Sequence, residues 1–168
     1  PADRIGLVAF ARFSVLKCPL TTDHDILKRQ LAGAAMASGD DDGTAIGMAL
    51  ASAVNHLRRS TAESRVVVLL TDGENNRSTI DPMTGAELAR ALGVTVYTVG
   101  VGREPLSPAE GERGVAGFNE EALESIAATT GGRYFRAADP ASLNRIFDTV
   151  DALERSPVET PAYRRVTE

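Results

Sequence analysis

The chain has 168 residues, a net charge of −5, 43% hydrophobic residues and 24% charged residues. This length suits one domain with a sizeable core, and the negative charge argues against nucleic-acid binding, which needs a basic face. No run approaches the ~20 apolar residues of a membrane span. The single cysteine, Cys18, excludes a disulfide within the chain and is typical of a small core residue.

The first segment predicts an antiparallel hairpin. Residues 4–10 and 13–20 are two strand-like runs, and the link between them is only two residues long. Pro19 removes a hydrogen-bond donor from the ladder, so the second strand belongs at the edge of a sheet.

Two helices follow the hairpin. Thr22 and Asp23 start a helix that the apolar spacing extends to about residue 37, before Gly39. Thr44 opens the second helix, and its apolar stripe consists of Ile46, Ala49, Leu50, Ala53, Val54 and Leu57. The acidic triplet at 40–42 complements the positive end of that helix. Thr44 is either its cap or a hydroxyl ligand for a metal ion, and Gly43 allows close approach of the backbone to a ligand.

The most apolar strand covers residues 65–71 and is predicted to be buried on both faces. It runs directly into Thr71-Asp72-Gly73. An aspartate at the carboxyl end of a buried strand lies where open α/β sheets bind ligands. Asp-Gly is also a common turn pair, so turn chemistry is the alternative explanation for Asp72.

Helix and strand alternate through the second half of the chain. The predicted elements are a helix at 82–92, a strand at 94–102, a helix capped by Asn119, a strand at 133–137 and a helix that begins at Asp139-Pro140. Residues 103–118 form a long loop. The paired arginines Arg58-Arg59 end a helix, where cations complement the dipole. This alternation predicts an α/β fold with a doubly wound, mostly parallel sheet, helices on both faces and an antiparallel edge hairpin.

Five stretches carry a resemblance to a known family. They are residues 4–10, 42–50, 69–76, 97–102 and 130–135. In order and spacing they resemble a von Willebrand factor type A (VWA) domain with its Rossmann-like sheet, specifically the bacterial BatA-type group, which is linked by name to aerotolerance. The resemblance extends over residues 1–154, with 155–168 as a carboxyl-terminal linker.

The resemblance implies a metal-ion-dependent adhesion site built from three loops. In the family, Asp-x-Ser-x-Ser lies in the first loop, a threonine in the second and an aspartate in the third. By this resemblance Thr44 is the second-loop ligand and Asp72 the third-loop ligand. Hydroxyl, carboxylate and water oxygens suit Mg²⁺ or Mn²⁺, and an acidic group of a partner completes the coordination.

The Asp-x-Ser-x-Ser motif is absent from this sequence. In the family, the strand that bears it lies between the strands that correspond to residues 4–10 and 65–71. We therefore expect that the sequence is truncated at its amino terminus; the alternative is that another chain donates the strand. We also expect the chain alone to be poorly stable, prone to associate and unable to hold Mg²⁺ tightly.

The resemblance implies a protein–protein interaction module rather than an enzyme. His24 and His56 are isolated, and the chain has no phosphate-binding loop. Proteins of the BatA type are membrane-anchored through flanking spans, which this sequence lacks, and are associated with MoxR-type AAA+ ATPases. The side of the membrane is undetermined.

Two alternatives stay open. In the first, Asp72 accepts a phosphoryl group as in response-regulator receivers, although the chain lacks their acidic pair and their lysine. In the second, the domain is a structural scaffold whose metal site is incomplete.

Overall fold

A computed structural model describes residues 3–34, 43–72, 79–102 and 119–155. In chain order its elements are β1 (Ile5–Phe10), β2 (Ser14–Thr21), α1 (His24–Ala32), α2 (Ile46–Leu57), β3 (Val66–Thr71), α3 (Pro82–Ala91), β4 (Thr95–Val101), α4 (Glu120–Thr130), β5 (Tyr134–Ala137) and α5 (Pro140–Arg155). The predictions for the acidic triplet, for residues 73–78, for the loop at 103–118 and for the linker after residue 155 lie outside these ranges.

The strands form two sheets. β1 and β2 pair antiparallel, with Phe10 opposite Ser14, and β3, β4 and β5 pair parallel in that order. Within the described ranges no ladder joins β1 to β3. The hairpin, the parallel sheet and the alternation of helix and strand confirm the predicted α/β class.

Two clusters of apolar side chains lie on opposite faces of the parallel sheet. Consecutive residues of a strand point to opposite faces, and Val96 belongs to one cluster whereas Tyr97 belongs to the other. The Val96 cluster contains residues of α2, α3 and α4, including Leu50, Ala86 and Leu123. The Tyr97 cluster contains Ile146 and Val150 of α5. Helices therefore cover both faces, as the sequence predicts.

The prediction that the strand at 65–71 is buried on both faces is confirmed in part, because side chains of β3 pack into the apolar clusters on both faces of the sheet. Val66, Val67, Val68 and Leu70 are only half-buried, and in β3 only Leu69 and Thr71 are buried. The most buried strand is β4, where residues 96–100 are buried although Val101 at its end is exposed. The reason is position in the sheet: within the described segments, β4 has a partner strand on each side, whereas β3 has one.

The helix ends follow the capping residues. Asp23 accepts hydrogen bonds from the amides of Asp25 and Ile26, and Asn119 accepts one from Ala122. Helix α1 ends at Ala32, earlier than the predicted residue 37, and Gly33 is its carboxyl-terminal cap. None of its residues is buried, so tertiary packing does not prolong it.

Two smaller points concern burial. On the last helix Phe147 is 43% exposed, whereas Ile146 and Val150 are buried. Cys18 is buried, as predicted.

Among the described segments, no helix has the length and apolar character needed to cross a bilayer.

Candidate metal centre

Asp72 lies at the carboxyl edge of the parallel sheet. It directly follows β3, whose last residue, Thr71, pairs with Gly100 of β4. Thr71 is buried and Asp72 is exposed. The carboxylate is therefore accessible to solvent at the edge where open α/β sheets bind their ligands.

Thr44 lies just before α2. The amino-terminal cap of this helix is Ala45, and no side chain makes a capping hydrogen bond. The sequence allowed Thr44 to be a cap or a ligand, and the structure places the cap position at Ala45, one residue later. Gly43 before it has φ 141°, a backbone conformation that favours glycine.

The hairpin turn supports the Thr44 segment from one side. The Ala45 amide donates a hydrogen bond to the Ala11 carbonyl at 2.8 Å. Ala45 is completely buried, and Ala11 directly follows β1. This bond ties the start of α2 to the turn between the two antiparallel strands.

A second contact joins α2 to the chain that follows Asp72. A β-carbon built on Gly47 would lie 2.0 Å from the Ile80 carbonyl oxygen, so the helix and this backbone are in direct contact. Beside it, the Thr79 hydroxyl donates to the Met48 sulfur at 3.5 Å. Helix α3 connects the end of β3 to the start of the parallel strand β4. Its first residues therefore lie near the carboxyl end of β3, and so this contact lies at the carboxyl edge of the sheet. Thr44 and Asp72 therefore border the same edge.

The donor chemistry fits a hard divalent cation in kind. A threonine hydroxyl and an aspartate carboxylate offer the oxygen ligands that Mg²⁺ and Mn²⁺ prefer. Two such side chains leave most positions of an octahedral ion to water or to other groups. Among the residues that the structure describes, no group of three or more histidine, cysteine or acidic side chains is arranged to bind a metal.

An ion pair lies further along the same edge. Arg136 of β5 donates to the Glu120 carboxylate in the first turn of α4. This hydrogen bond from Arg136 lowers the pKa of Glu120. The pair fixes the start of α4 against the outer strand and engages the Glu120 carboxylate at the edge.

Sequence patterns did not identify two residues that shape this edge. Asp81 caps α3 by accepting from the amides of Met83 and Thr84, and the Asp81-Pro82 pair was an available signal. Gly47 allows the close contact with Ile80, which no local pattern reveals.

Both histidines, His24 and His56, are exposed, as expected of isolated surface residues.

The von Willebrand factor type A domain model matches residues 1–149. A protein of Borreliella burgdorferi that has no assigned function is 31% identical over 172 residues, covering 91% of this chain and 48% of that protein. The chain thus spans about half the length of this relative.

Solved structures share the fold. An aerotolerance-related membrane protein from Bacteroides fragilis has a TM-score of 0.70 at 22% identity, covering 92% of this chain and 81% of that one. Proximal thread matrix protein 1 from the mussel byssus, in a form with a zinc-occupied MIDAS motif, has a TM-score of 0.69 at 25% identity, covering 90% of this chain and 34% of that one. The family match over nearly the whole described chain shows that this protein belongs to the von Willebrand factor type A domain family.

Proposed function

We propose that this domain is a metal-dependent protein–protein interaction module. Thr44 and Asp72 contribute oxygen ligands to Mg²⁺ or Mn²⁺, and an acidic group of a partner protein occupies an open position on the ion. The domain itself carries out no catalysis in this proposal.

One observation carries the proposal. The first turn of α2 packs on the backbone at Ile80, downstream of Asp72, and its Ala45 amide bonds to the hairpin turn. Three chain segments therefore converge on one edge. They support Thr44 from both sides, although its hydroxyl is not the helix cap. A hydroxyl and a carboxylate on packed supports suit a site that must keep its geometry while a partner binds.

The zinc-occupied MIDAS motif of the mussel byssus protein supports a divalent ion at the corresponding place in the fold. Mg²⁺ or Mn²⁺ is the proposed ion here because both side chains offer hard oxygen donors, whereas Zn²⁺ favours nitrogen and sulfur. The described segments hold no group of three or more His, Cys, Asp or Glu side chains arranged to bind a metal, and the sequence lacks Asp-x-Ser-x-Ser, so we expect weak binding by the chain of 168 residues. We expect tighter binding by a form to which a strand bearing that motif is added at the amino terminus.

The proposed setting is a bacterial membrane-anchored protein that acts with a MoxR-type AAA+ ATPase. Its support is the BatA-type resemblance and the fold shared with the aerotolerance-related membrane protein. The domain would present its metal edge to the partner, and segments outside this sequence would supply the anchor.

The test is calorimetric titration of Mg²⁺, Mn²⁺ and Zn²⁺ into the chain and into the form extended at its amino terminus. We expect saturable binding that Asp72→Ala abolishes and Thr44→Ala weakens. The matched control is Asp148→Ala, which removes an exposed carboxylate from α5 without changing the metal edge.

Absence of binding by both forms would contradict the proposal and favour the alternative of a structural scaffold with an incomplete site. Stoichiometric phosphorylation of Asp72 by acetyl phosphate would favour the receiver-like alternative instead. Equal loss of binding in Asp148→Ala and Asp72→Ala would show that the ion binds to general negative charge.

A further inference from the structure

The opposite end of the domain carries a group of arginines. We name it the arginine end, and its members are Arg4, Arg58, Arg59, Arg65, Arg90 and Arg133. All six lie next to the amino ends of strands or the carboxyl ends of helices. Because the strands of one sheet are parallel and their helices return antiparallel to them, these positions gather at one end of the domain.

Specific contacts place the arginines side by side. The Arg65 carbonyl accepts from the Thr95 amide at 3.0 Å, and the Arg133 carbonyl accepts from the Thr98 amide at 3.1 Å. An Arg65 guanidinium nitrogen lies 3.1 Å from the β-carbon position of Gly93, directly after the helix that bears Arg90.

The remaining members lie on the other side of this group. Arg4 donates to the Ser60 hydroxyl at 3.1 Å, which brings the start of β1 to the segment that follows Arg58 and Arg59. These two arginines end α2, and the short connection from them leads into β3. The group therefore extends from the hairpin across to β5.

Most of these charges are exposed, and none of them forms an ion pair within the described segments. All except the half-buried Arg65 are exposed. The ion pairs within the described segments are Lys28–Asp25, Arg136–Glu120 and Arg155–Asp151, and none involves the arginine end. Of the nearby carboxylates, Glu154 accepts from the hydroxyls of Ser64 and Tyr97. The other nearby carboxylates are Glu63 and, on the hairpin side, Asp3, Asp23 and Asp25.

Helix dipoles explain only part of this arrangement. Arg58, Arg59 and Arg90 end helices, where cations are favourable. Arg65 and Arg133 precede strands rather than end helices, although the Arg65 guanidinium lies beside Gly93, just after α3. The acidic edge with Asp72 and Asp81 lies at the far end of the strands. The seven residues of β4 span about 23 Å, which is more than two Debye lengths of about 8 Å at physiological salt.

Both ends of the described chain lie at the arginine end. Asp3 precedes β1, and its carbonyl oxygen lies 3.4 Å from His24 at the start of α1. At the other end, Glu154 in the last turn of α5 bonds to Ser64 and Tyr97. Arg155, the last described residue, therefore lies at the arginine end.

We propose that the arginine end is a docking surface for the anionic phospholipid headgroups of a bilayer. An anchor joined to the chain beyond Arg155 would bring this face to the membrane and turn the metal edge away from it. In identifying the membrane as the occupant, this inference rests on the proposed membrane anchoring; the metal site plays no part in it.

The experiment is vesicle co-sedimentation of the 168-residue chain in the presence of EDTA. Vesicles contain either phosphatidylcholine alone or phosphatidylcholine with about 30% phosphatidylglycerol. We expect binding to the anionic vesicles only. Raising the salt from about 0.1 M to about 1 M shortens the Debye length from about 10 Å to about 3 Å and should release the protein.

The decisive variant is Arg59→Glu with Arg90→Glu, and the matched control is Lys17→Glu with Arg29→Glu. Both pairs are exposed and lower the net charge by the same amount, but Lys17 in β2 and Arg29 in α1 lie outside the arginine end. Each basic residue near an anionic surface strengthens binding about fivefold. We therefore expect a loss of at least ~25-fold in the first variant and less than about threefold in the control.

Three results would overturn the proposal: equal binding to uncharged vesicles, equal losses in the two variants, or binding to duplex DNA without binding to vesicles. Circular dichroism verifies that both variants fold. If the double variant does not fold, the exposed single change Arg133→Glu replaces it, with Arg29→Glu as its control. Because EDTA is present throughout, failure here is distinct from failure of metal binding.

Discussion

The Tyr97 hydroxyl donates a hydrogen bond to the Glu154 carboxylate at 2.7 Å, which joins the middle strand of the parallel sheet to the last turn of the last helix. The other carboxylate oxygen of Glu154 accepts from the Ser64 hydroxyl, just before β3. One carboxylate therefore connects three segments that are far apart in sequence. It fixes the end of α5 against the start of β3 and the middle of the sheet.

Removal of the Tyr97 hydroxyl should destabilise the domain. Tyr97→Phe keeps the ring in the α5-side core but deprives Glu154 of one of its two donors. We expect the free energy of unfolding to fall by about 1 kcal/mol, because a half-buried acceptor loses a hydrogen-bond partner. Urea denaturation at neutral pH measures this change.

A double-mutant cycle with Glu154→Ala separates the hydrogen bond from packing. If the bond accounts for the loss, Tyr97→Phe costs clearly less in the Glu154→Ala background. Equal costs in both backgrounds would mean that the hydroxyl stabilises the fold through other contacts.

Alkaline pH should destabilise the domain through its buried tyrosines. Burial raises the pKa of Tyr97 to about 12, and the hydrogen bond to Glu154 adds to this increase. Burial likewise raises the pKa of Tyr134 to about 12. An unfolded tyrosine has a pKa of about 10, so the folded state holds these protons more tightly. Their contribution is complete below pH 10 and is lost as the pH rises to about 12.

The check is the free energy of unfolding measured in steps from pH 9 to pH 12. The unmodified chain and Tyr97→Phe are compared, because their difference isolates this residue from the ionisation of lysines. We expect the difference to shrink as the pH rises. A difference that is constant over the whole range would show that Tyr97 ionises as readily in the folded chain as in the unfolded one.

The sequence predicted those features that depend on local patterns. Strand and helix positions follow from apolar periodicity, and Asp23 and Asn119 cap helices as expected. It failed where the outcome depends on neighbours distant in sequence. The five apolar residues 66–70 have the composition of a central strand, yet in the described part of the chain β3 has one partner strand and four of these residues are half-buried.

The features of the candidate site likewise divide into those that local sequence reveals and those that depend on distant contacts. The position of Asp72 after a strand is readable from the sequence, and so is the glycine before Thr44. Helix α2 starts one residue later than it would if Thr44 were its cap. Tertiary contacts decide this start, namely the bond from Ala45 to Ala11 and the packing of Gly47 on Ile80. Neither contact has a signature in the local sequence.

Acid should weaken the start of α5 through Asp139. Its side chain accepts a hydrogen bond from the Ser142 amide at 2.6 Å, and this bond lowers the pKa of Asp139. A carboxylate with a depressed pKa stabilises the fold above its unfolded pKa, and this stability is lost as the pH falls through the folded value. We therefore expect Asp139→Ala to lower the melting temperature at neutral pH and to have a smaller effect in acid.

The control for this measurement is Asp148→Ala, which removes an exposed carboxylate from the interior of the same helix. We expect it to change the melting temperature little at either pH. An effect of Asp139→Ala that persists undiminished at low pH would show that the ionised form of the side chain is not what stabilises the helix start.

Substitution of Gly47 should disturb the candidate metal edge. A β-carbon there would lie 2.0 Å from the Ile80 carbonyl oxygen and 2.9 Å from the Asp81 carbonyl carbon, so α2 and the start of α3 must move apart. We expect Gly47→Ala to cost about 1–3 kcal/mol, as overpacking of a rigid contact does. The matched control is Gly33→Ala, whose β-carbon would meet only the Arg29 and Gln30 carbonyl oxygens at 3.5 and 3.8 Å, at an ordinary φ of −85°. Because alanine also restricts the unfolded chain, this control should be neutral or slightly stabilising. Urea denaturation of the two variants decides the matter: equal stability would mean that the backbone at Ile80 yields easily and does not hold the Thr44 segment in place.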